Sequence, residues 1–331
     1  MPENTCIVVG AGISGLLAAR ELRGAGWRVT VLDKGRGVGG RMATRRLDGA
    51  AFDHGAQFFT VREERFEKIV EGWISAGAAL EWSRGFADAS GGANPDGHPR
   101  YRGTDGMASV PKHLARGLDV RTGDPVVRVE RQGDGWTVSC ESGAEFQGGA
   151  LLLTAPVPQS LELAESGDYA LPGDARRELE KVSYDPCLAL MVVLEGPSPV
   201  PEPGGVQIKG EPLDWIGDNA TKGISDRPAL TIHAGPNWSR EHFEDDEAKI
   251  TQELLERAGE QLGSDLRRMT VGTSLARWRY SWVTRPHEEA CLVASQDPPL
   301  VFCGDAFGKP KVEGASLSGL AAADRLLGRE D

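Results

Sequence analysis

From Thr5 the chain runs through an unbroken apolar segment, Thr5-Cys6-Ile7-Val8-Val9, straight into Gly10-Ala11-Gly12-Ile13-Ser14-Gly15. An apolar strand without polar alternation belongs in a parallel sheet covered on both faces. Leu16, Leu17, Ala19 and Leu22 then follow at helical spacing, which predicts a helix to about Arg23 that Gly24 and Gly26 end. Arg28–Leu32 reads as a second strand, closed by Asp33 with Lys34 beside it. Strand, turn, helix and strand make one β-α-β unit of about thirty residues. Gly10 permits the tight turn, Gly12 lets backbone amides approach a pyrophosphate, and Gly15 lets the helix pack closely on the strand. The first helical turn, with Ser14, offers unpaired N–H groups and partial positive charge to phosphates. Asp33 stands where a carboxylate accepts hydrogen bonds from ribose hydroxyls. The bland alternative is a glycine-rich turn in an unrelated α/β protein, and the complete order of parts argues against it. This unit fixes a Rossmann-type dinucleotide fold without separating FAD from NAD.

At 331 residues the length suggests about two domains, and 40% hydrophobic with 26% charged residues is ordinary for a globular chain. The net charge of −12 disfavours nucleic acid or anionic lipid as partner, so an anionic ligand would need its own local arginines or lysines. No apolar run approaches the roughly 18–20 residues that span a bilayer, and MPENTCIVVGAG lacks the charge and apolar pattern of a leader. A cytoplasmic protein without membrane contact is the expectation. Cys6, Cys140, Cys187, Cys291 and Cys303 form no CxxC pair and no metal-ligand spacing with histidine, so neither a disulfide nor a metal site is expected.

Further along, FDHGAQFFT reads as strand-like, 61–81 as helical, and 84–105, dense in Gly, Asp and Pro, as loop. Met107–Leu118 reads as a helix, followed by short strands in VVRVERQ, WTVSCES and EFQGG and a buried one in ALLLTAP. The middle mixes strands (LALMVVLE, PALTIHA, SLARWRYSW) with an amphipathic helix at about 244–262. PPLVFCGDAF repeats a buried strand running into a glycine turn, and a helix from about Ala315 to Leu327 closes the chain. The expected division is a dinucleotide domain from 1–60, 103–158 and 296–331, with a substrate domain from 61–102 and 159–295.

Three segments carry a resemblance. Gly39-Gly40-Arg41 after Asp33, Gly304-Asp305 after a strand, and Val312-Glu313-Gly314-Ala315 at the last helix resemble motifs of the amine oxidase superfamily of flavoproteins. The resemblance implies an α/β fold with a Rossmann-type FAD-binding domain and an inserted mixed α+β substrate domain, a p-hydroxybenzoate hydroxylase-like architecture. It also implies that the Gly-Asp pair meets the flavin's diphosphate and ribitol, and that the helix at Glu313, Gly314 and Ala315 points at the pyrimidine end. Val126 matches the position beside the adenine, and ordinary core is an equal reading for it. Asp305-Ala306-Phe307-Gly308 offers no nucleophile for covalent attachment, so FAD is expected to bind non-covalently. RMATRR, FDHGAQFFT and PRYRGTDGMASVPKHLA resemble the bacterial renalase-like oxidases within that superfamily, over essentially the whole chain. This implies Gly55, Ala56 and Gln57 beside the flavin. It also implies oxidation of isomeric dihydronicotinamide dinucleotides to NAD(P)⁺, with dioxygen reduced to hydrogen peroxide.

For the substrate side, Gln57 has both donor and acceptor for a carboxamide, although a buried structural glutamine fits as well. Phe59 lies in the same segment. Period two puts Trp278, Tyr280 and Trp282 on one strand face, suited either to a nicotinamide ring or to core. Lys311 stands where amine oxidases of the superfamily usually carry an aromatic, and a cation there suits an anionic or electron-rich ligand better than an amine. A solvated loop lysine is the alternative. Arg100, Tyr101 and Arg102 could meet phosphates, and His54, His233 and His287 have no neighbouring nucleophile that would make a hydrolytic triad. No catalytic acid or base is assigned, since the flavin itself carries the chemistry. Open alternatives are a flavin amine oxidase or desaturase and, in another class, an FAD-binding redox sensor or scaffold without turnover.

Overall fold

The computed structural model describes residues 4–88 and 92–329. In chain order the elements begin with β1 (Thr5–Val9), α1 (Ile13–Gly24), β2 (Arg28–Asp33), β3 (Thr44–Leu47), β4 (Ala50–Asp53), α2 (Glu64–Ser75), β5 (Ala79–Asp88) and β6 (Ala93–Gly103). They continue with α3 (Ser109–Ala115), β7 (Asp119–Thr122), β8 (Val126–Gln132), β9 (Gly135–Cys140), β10 (Glu145–Gly148), β11 (Ala150–Leu153), α4 (Val157–Ala164) and α5 (Gly173–Glu180). The middle holds β12 (Ser183–Leu194), β13 (Gly205–Gln207), β14 (Leu213–Asp218), β15 (Ala229–Ala234), α6 (Pro236–Glu241), α7 (Glu247–Leu262) and α8 (Leu266–Met269). Last come β16 (Thr270–Arg285), β17 (Leu292–Gln296), β18 (Pro299–Phe302) and α9 (Lys311–Leu326).

The fully buried β1 sits inside a six-stranded sheet of order β17-β18-β11-β1-β2-β7, pairing in parallel with β11 and β2. Strands from both ends of the chain therefore build one sheet. Both faces are covered, as an apolar parallel sheet requires. Leu16 and Leu22 of α1, Leu320 and Ala322 of α9, and Val110 and Leu114 of α3 share one core, while α4 and α5 contribute Ala164 and Leu179 to the core on the other face. A three-stranded antiparallel sheet, β10-β9-β8, lies in that second core through Val129, Trp136 and Val138.

The second large sheet has seven strands in the order β16-β12-β15-β14-β13-β5-β6. Helix α7 covers it with Ile250, Leu254 and Ala258. Asp246 caps α7 by accepting from the Ala248 and Lys249 amides, and Gly263 ends it in the left-handed region. The stretch 84–105, expected as loop, is instead mostly strand, with residues 89–91 outside the described residues. The reason is its place: β6 is an edge strand, where prolines are tolerated because one side of the ladder needs no donors. The last helix starts at Lys311, with Pro310 as its N-cap, rather than at Ala315.

The two-domain division remains our proposal, with two adjustments at its edges. Phe66, Val70 and Trp73 of α2, in the 61–102 segment, pack with α1 and α9 rather than with the second sheet. Strand β17, within 159–295 for most of its length, adds antiparallel to β18 as the edge of the first sheet.

Candidate cofactor and substrate site

The glycine turn meets the other flavin-type motifs through backbone. Gly39 N donates to Ala11 O at 2.8 Å, and a Cβ on Gly40 would lie 3.8 Å from Gly12 Cα. Gly15 is required by close approach: a Cβ there would meet Gly10 O at 2.1 Å. Asp33 accepts from the amides of Ala11 and Gly35, each at 2.6 Å, which holds its carboxylate against the turn. Arg41 reaches Asp305 in a bidentate pair, Nη1 to Oδ2 at 2.6 Å and Nη2 to Oδ1 at 2.7 Å. Its carbonyl accepts from Ala56 N at 2.8 Å, and a Cβ on Gly55 would lie 2.2 Å from that same oxygen. Gly10, Gly12, Asp33, Gly40, Arg41, Gly55, Ala56 and Asp305 therefore converge at one place.

Several neighbours contribute differently from the reading of their sequence. Ser14 Oγ turns inward to Cys303 Sγ at 3.5 Å, so only its backbone faces the turn's ligand side. Gly304 N donates to Ser318 Oγ at 2.8 Å, and Gly304 takes a φ of 141° that only glycine adopts freely. Glu313 Oε1 accepts from the amides of Arg62 and Glu63 at 2.7 and 2.9 Å, tying α9 to the start of α2. Ala315 is core, and Gly314 lets Lys309 O come within 1.5 Å of where a Cβ would sit. Any contact of Gly314 with a cofactor is thus a backbone contact. Lys34 is exposed and bonds Gln159, while Val126 is half-buried against the second core.

Beneath the FDHGAQ segment lies a buried polar network that sequence reasoning missed. Lys222 Nζ donates to Asp53 Oδ2 at 2.6 Å and to Gln57 O at 2.5 Å, and stands 4.8 Å from the Trp82 ring centre. Asp53 Oδ1 also accepts from Thr44 Oγ1 at 2.6 Å and Met107 N at 2.8 Å. Burial pulls the Lys222 ammonium below its usual range, and Asp53 opposes the shift. Burial likewise pushes His54 and His233 down to about 4, with Arg45 adding to the effect on His54. Lys222 sits in Asp-Asn-Ala-Thr-Lys-Gly, which reads as an ordinary polar turn. Only the third dimension buries it.

The substrate-side candidates divide. Gln57 is buried, and its Nε2 is already committed to Asp53 O at 2.5 Å, while Oε1 and Trp215 Nε1 stand unpartnered around Gly217. Phe59 packs among Phe66, Trp73 and Tyr101, and alternation turns Phe58 instead toward Trp82, Phe86 and Trp215. The aromatic face of β16 is not a single platform. Trp278 stacks on His54 at 5.1 Å and donates to its carbonyl at 2.9 Å, Tyr280 meets Tyr184 edge-on at 5.5 Å, and Trp282 is 43% exposed. Pro186 in the partner strand β12 has no N–H, and the ladder bulges between Asp185 and Cys187 opposite Tyr280. The freed Tyr280 carbonyl accepts from Arg41 Nη1 at 3.1 Å.

A cavity of about 860 Å³ opens between the second sheet and the start of α9. Phe58, Phe59 and Phe86 are among its lining residues, and so is Lys311. Lys311 Nζ lies 6.0 Å from the Trp282 ring centre. Neither Gln57, Trp278 nor Tyr280 is among its lining residues.

The sequence over residues 67–327 matches the family model described as flavin containing amine oxidoreductase, and residues 8–72 match an NAD(P)-binding Rossmann-like domain. The chain belongs to the flavin-containing amine oxidoreductase family. Within it the chain is similar to mouse (Mus musculus) renalase, at 27% identity over 339 residues, covering 95% of this chain and 96% of the mouse protein. A cofactor-binding redesign of putrescine oxidase shares the fold, with a TM-score of 0.76 at 18% identity over 98% of this chain and 99% of that one. The putrescine-bound wild type of that enzyme gives 0.74, also at 18% identity, over 98% of this chain and 99% of that one. Membership of the flavin-containing amine oxidoreductases makes this an FAD-dependent oxidoreductase. The residues fit that cofactor: nothing lies within 4 Å of a Cβ built on Gly12, and α1 starts without a side-chain cap, leaving its first amides to a phosphate. Among the described residues no helix is long and apolar enough to cross a membrane, and no cluster suits a metal ion.

Proposed function

We propose that this oxidase takes isomeric dihydronicotinamide dinucleotides, forms of NAD(P)H reduced at the wrong ring carbon, and returns them to NAD(P)⁺. The observation that carries the reading is the chemistry of the cavity. Aromatic rings line it on one side, and Arg62, Arg100, Lys209, Lys309 and Lys311 outnumber Asp88, Asp96 and Glu313 on its walls. A flat ring joined to a diphosphate matches both parts, whereas an ammonium or diammonium substrate would meet a net repulsion.

When bound, FAD would supply an acceptor for the substrate's hydride and a route for the electron pair to dioxygen, with hydrogen peroxide as the product. The protein's part is binding and orientation. Gly12, the first turn of α1 and Asp33 would hold the cofactor without a covalent bond, and Val126 would pack beside its adenine. Phe58 and Phe86 flank the substrate ring, Lys311 faces its charged portion, and Gln57, Trp278 and Tyr280 hold the segment against which it lies. The ring nitrogen of a dihydronicotinamide carries no proton that must leave, so no general base is needed. His54 and His233, pushed down to about 4 by burial, stay neutral through the working pH range and fit that mechanism. None of the five cysteines is in a disulfide, which suits a reducing cytoplasm as the place of action.

In air, the FAD-loaded protein is expected to convert a dihydronicotinamide isomer to NAD(P)⁺ with one hydrogen peroxide per turnover. Peroxide formed from a simple amine, with none from the isomers, would overturn the substrate assignment.

A further inference from the structure

The cavity's five cations are not equivalent. Arg100 is held bidentate by Asp96, and Lys309 Nζ pairs with Glu63 at 2.5 Å. The cavity's acids are engaged as well: Asp96 by Arg100, Glu313 by two backbone amides, and Asp88 by Gly92 N at 3.3 Å. Among the described residues, Arg62, Lys209 and Lys311 line the same cavity without an ion-pair partner. In a chain of net charge −12, three cations without an ion-pair partner, against the carboxylates of Asp88 and Glu313 that backbone amides leave charged, are a local reversal of sign.

Their backbone adds an independent observation. Among the described residues, the non-glycine residues with positive φ are Asn4, Asp48, Lys209 at 52° and Lys311 at 77°. A lysine has no short side chain to hydrogen-bond locally and relieve the left-handed region, so glycine would be the more comfortable residue at both positions. Both lysines nevertheless line the cavity, one from the β13–β14 connection and one from the first position of α9. Strain of this kind persists where the side chain's placement has a use.

We infer that Arg62, Lys209 and Lys311 form an anion subsite that receives the diphosphate of the substrate. The inference rests on the dinucleotide reading above and assigns the part of the substrate that these three side chains recognise. Arg62 offers a planar fork for two phosphate oxygens, and the lysines act as point charges reaching from two different elements of the lining. The aromatic side of the cavity is left to the ring. Discrimination between dinucleotides and ring fragments then resides in this subsite.

The test compares an isomeric dihydronicotinamide dinucleotide with the corresponding dihydronicotinamide riboside, which lacks phosphate, on the FAD-loaded protein. The double variant Lys209→Gly and Lys311→Gly keeps the backbone in a conformation that glycine accepts, so folding is retained. The ratio of kcat/KM for the dinucleotide to that for the riboside is expected to fall at least about tenfold, with Arg62→Gln lowering it in the same direction. A ratio within about threefold of the parent would overturn the subsite. Should the parent oxidise neither compound, the functional reading itself fails, and the anion subsite is decided by titrating inorganic pyrophosphate calorimetrically into the holoprotein. Binding that the double variant loses supports it; equal heats in both proteins, or none in either, overturn it.

Discussion

Lys222 and Asp53 meet in the interior at 2.6 Å, with both side chains essentially inaccessible. Such a pair adds little over a well-packed apolar substitute, but losing one partner strands a buried charge. Lys222→Met is therefore expected to lower stability by about 3–5 kcal/mol, read from chemical denaturation; a loss below about 1 kcal/mol, the scale of a surface pair, would show that water reaches Asp53. The two buried histidines set a pH dependence. Each has a folded-state value of about 4 against an ordinary 6.5, so the native state binds fewer protons than the unfolded chain. Their contribution is whole above about pH 6.5 and is lost as pH falls toward about 4, costing about 2 kcal/mol per ring by about pH 5. His233→Gln should flatten that decline, and an unchanged slope would mean that His233 already titrates in contact with solvent. None of this was legible beforehand, because a lysine or histidine in a polar segment carries no mark of its burial. The place of Asp33 against the glycine turn, by contrast, was legible, since a residue closing the second strand of a β-α-β unit lies beside that turn.

At the scale of elements, what the sequence made plain was whatever depends on local geometry. The apolar β1, the Gly10–Gly15 turn and the capped α7 stand essentially where their residues put them. Edge position and bulges escaped it. The strand β6 tolerates proline and glycine because it is an edge strand, bridged on its outer side by Phe59 at Tyr101, and β16 is bent out of strict alternation by Pro186 on its neighbour. That bend divides Trp278, Tyr280 and Trp282 among three separate neighbours. The packing of α9 on α1 gives a sharper test. A Cβ on Gly319 would lie 2.2 Å from Ser14 O, a backbone atom that cannot swing aside. Gly319→Ala is expected to force the helices apart at about 1–3 kcal/mol and to weaken FAD binding, since it would shift the first turn of α1, proposed above to hold the cofactor. Thermal unfolding and FAD affinity unchanged from the parent would show that the two helices have slack.

Across the whole molecule, the seven-stranded sheet and the start of α9 frame the cavity, and an acidic chain lines it with a local excess of positive charge. The need for local cations was legible from the net charge together with the expected anionic ligand. Which cations remain free was not, because Arg100 and Lys309 find their partners only in the folded structure. Phe59 illustrates the same limit: the segment was identified, but alternation gives Phe58 the aromatic cluster beside the cavity. The central claim is that this fold oxidises a dihydronicotinamide without a base, rather than an amine. Anaerobic mixing of the FAD-loaded protein with saturating dihydronicotinamide isomer, following loss of the flavin's visible absorbance, tests it most directly. The expected result is rapid bleaching whose limiting rate changes less than about threefold between about pH 6 and 9, against the ~10²–10⁴-fold scale of general-base catalysis, with no bleaching by putrescine. Fast bleaching by putrescine, or a steep single-proton rise with pH for the isomer, would contradict it.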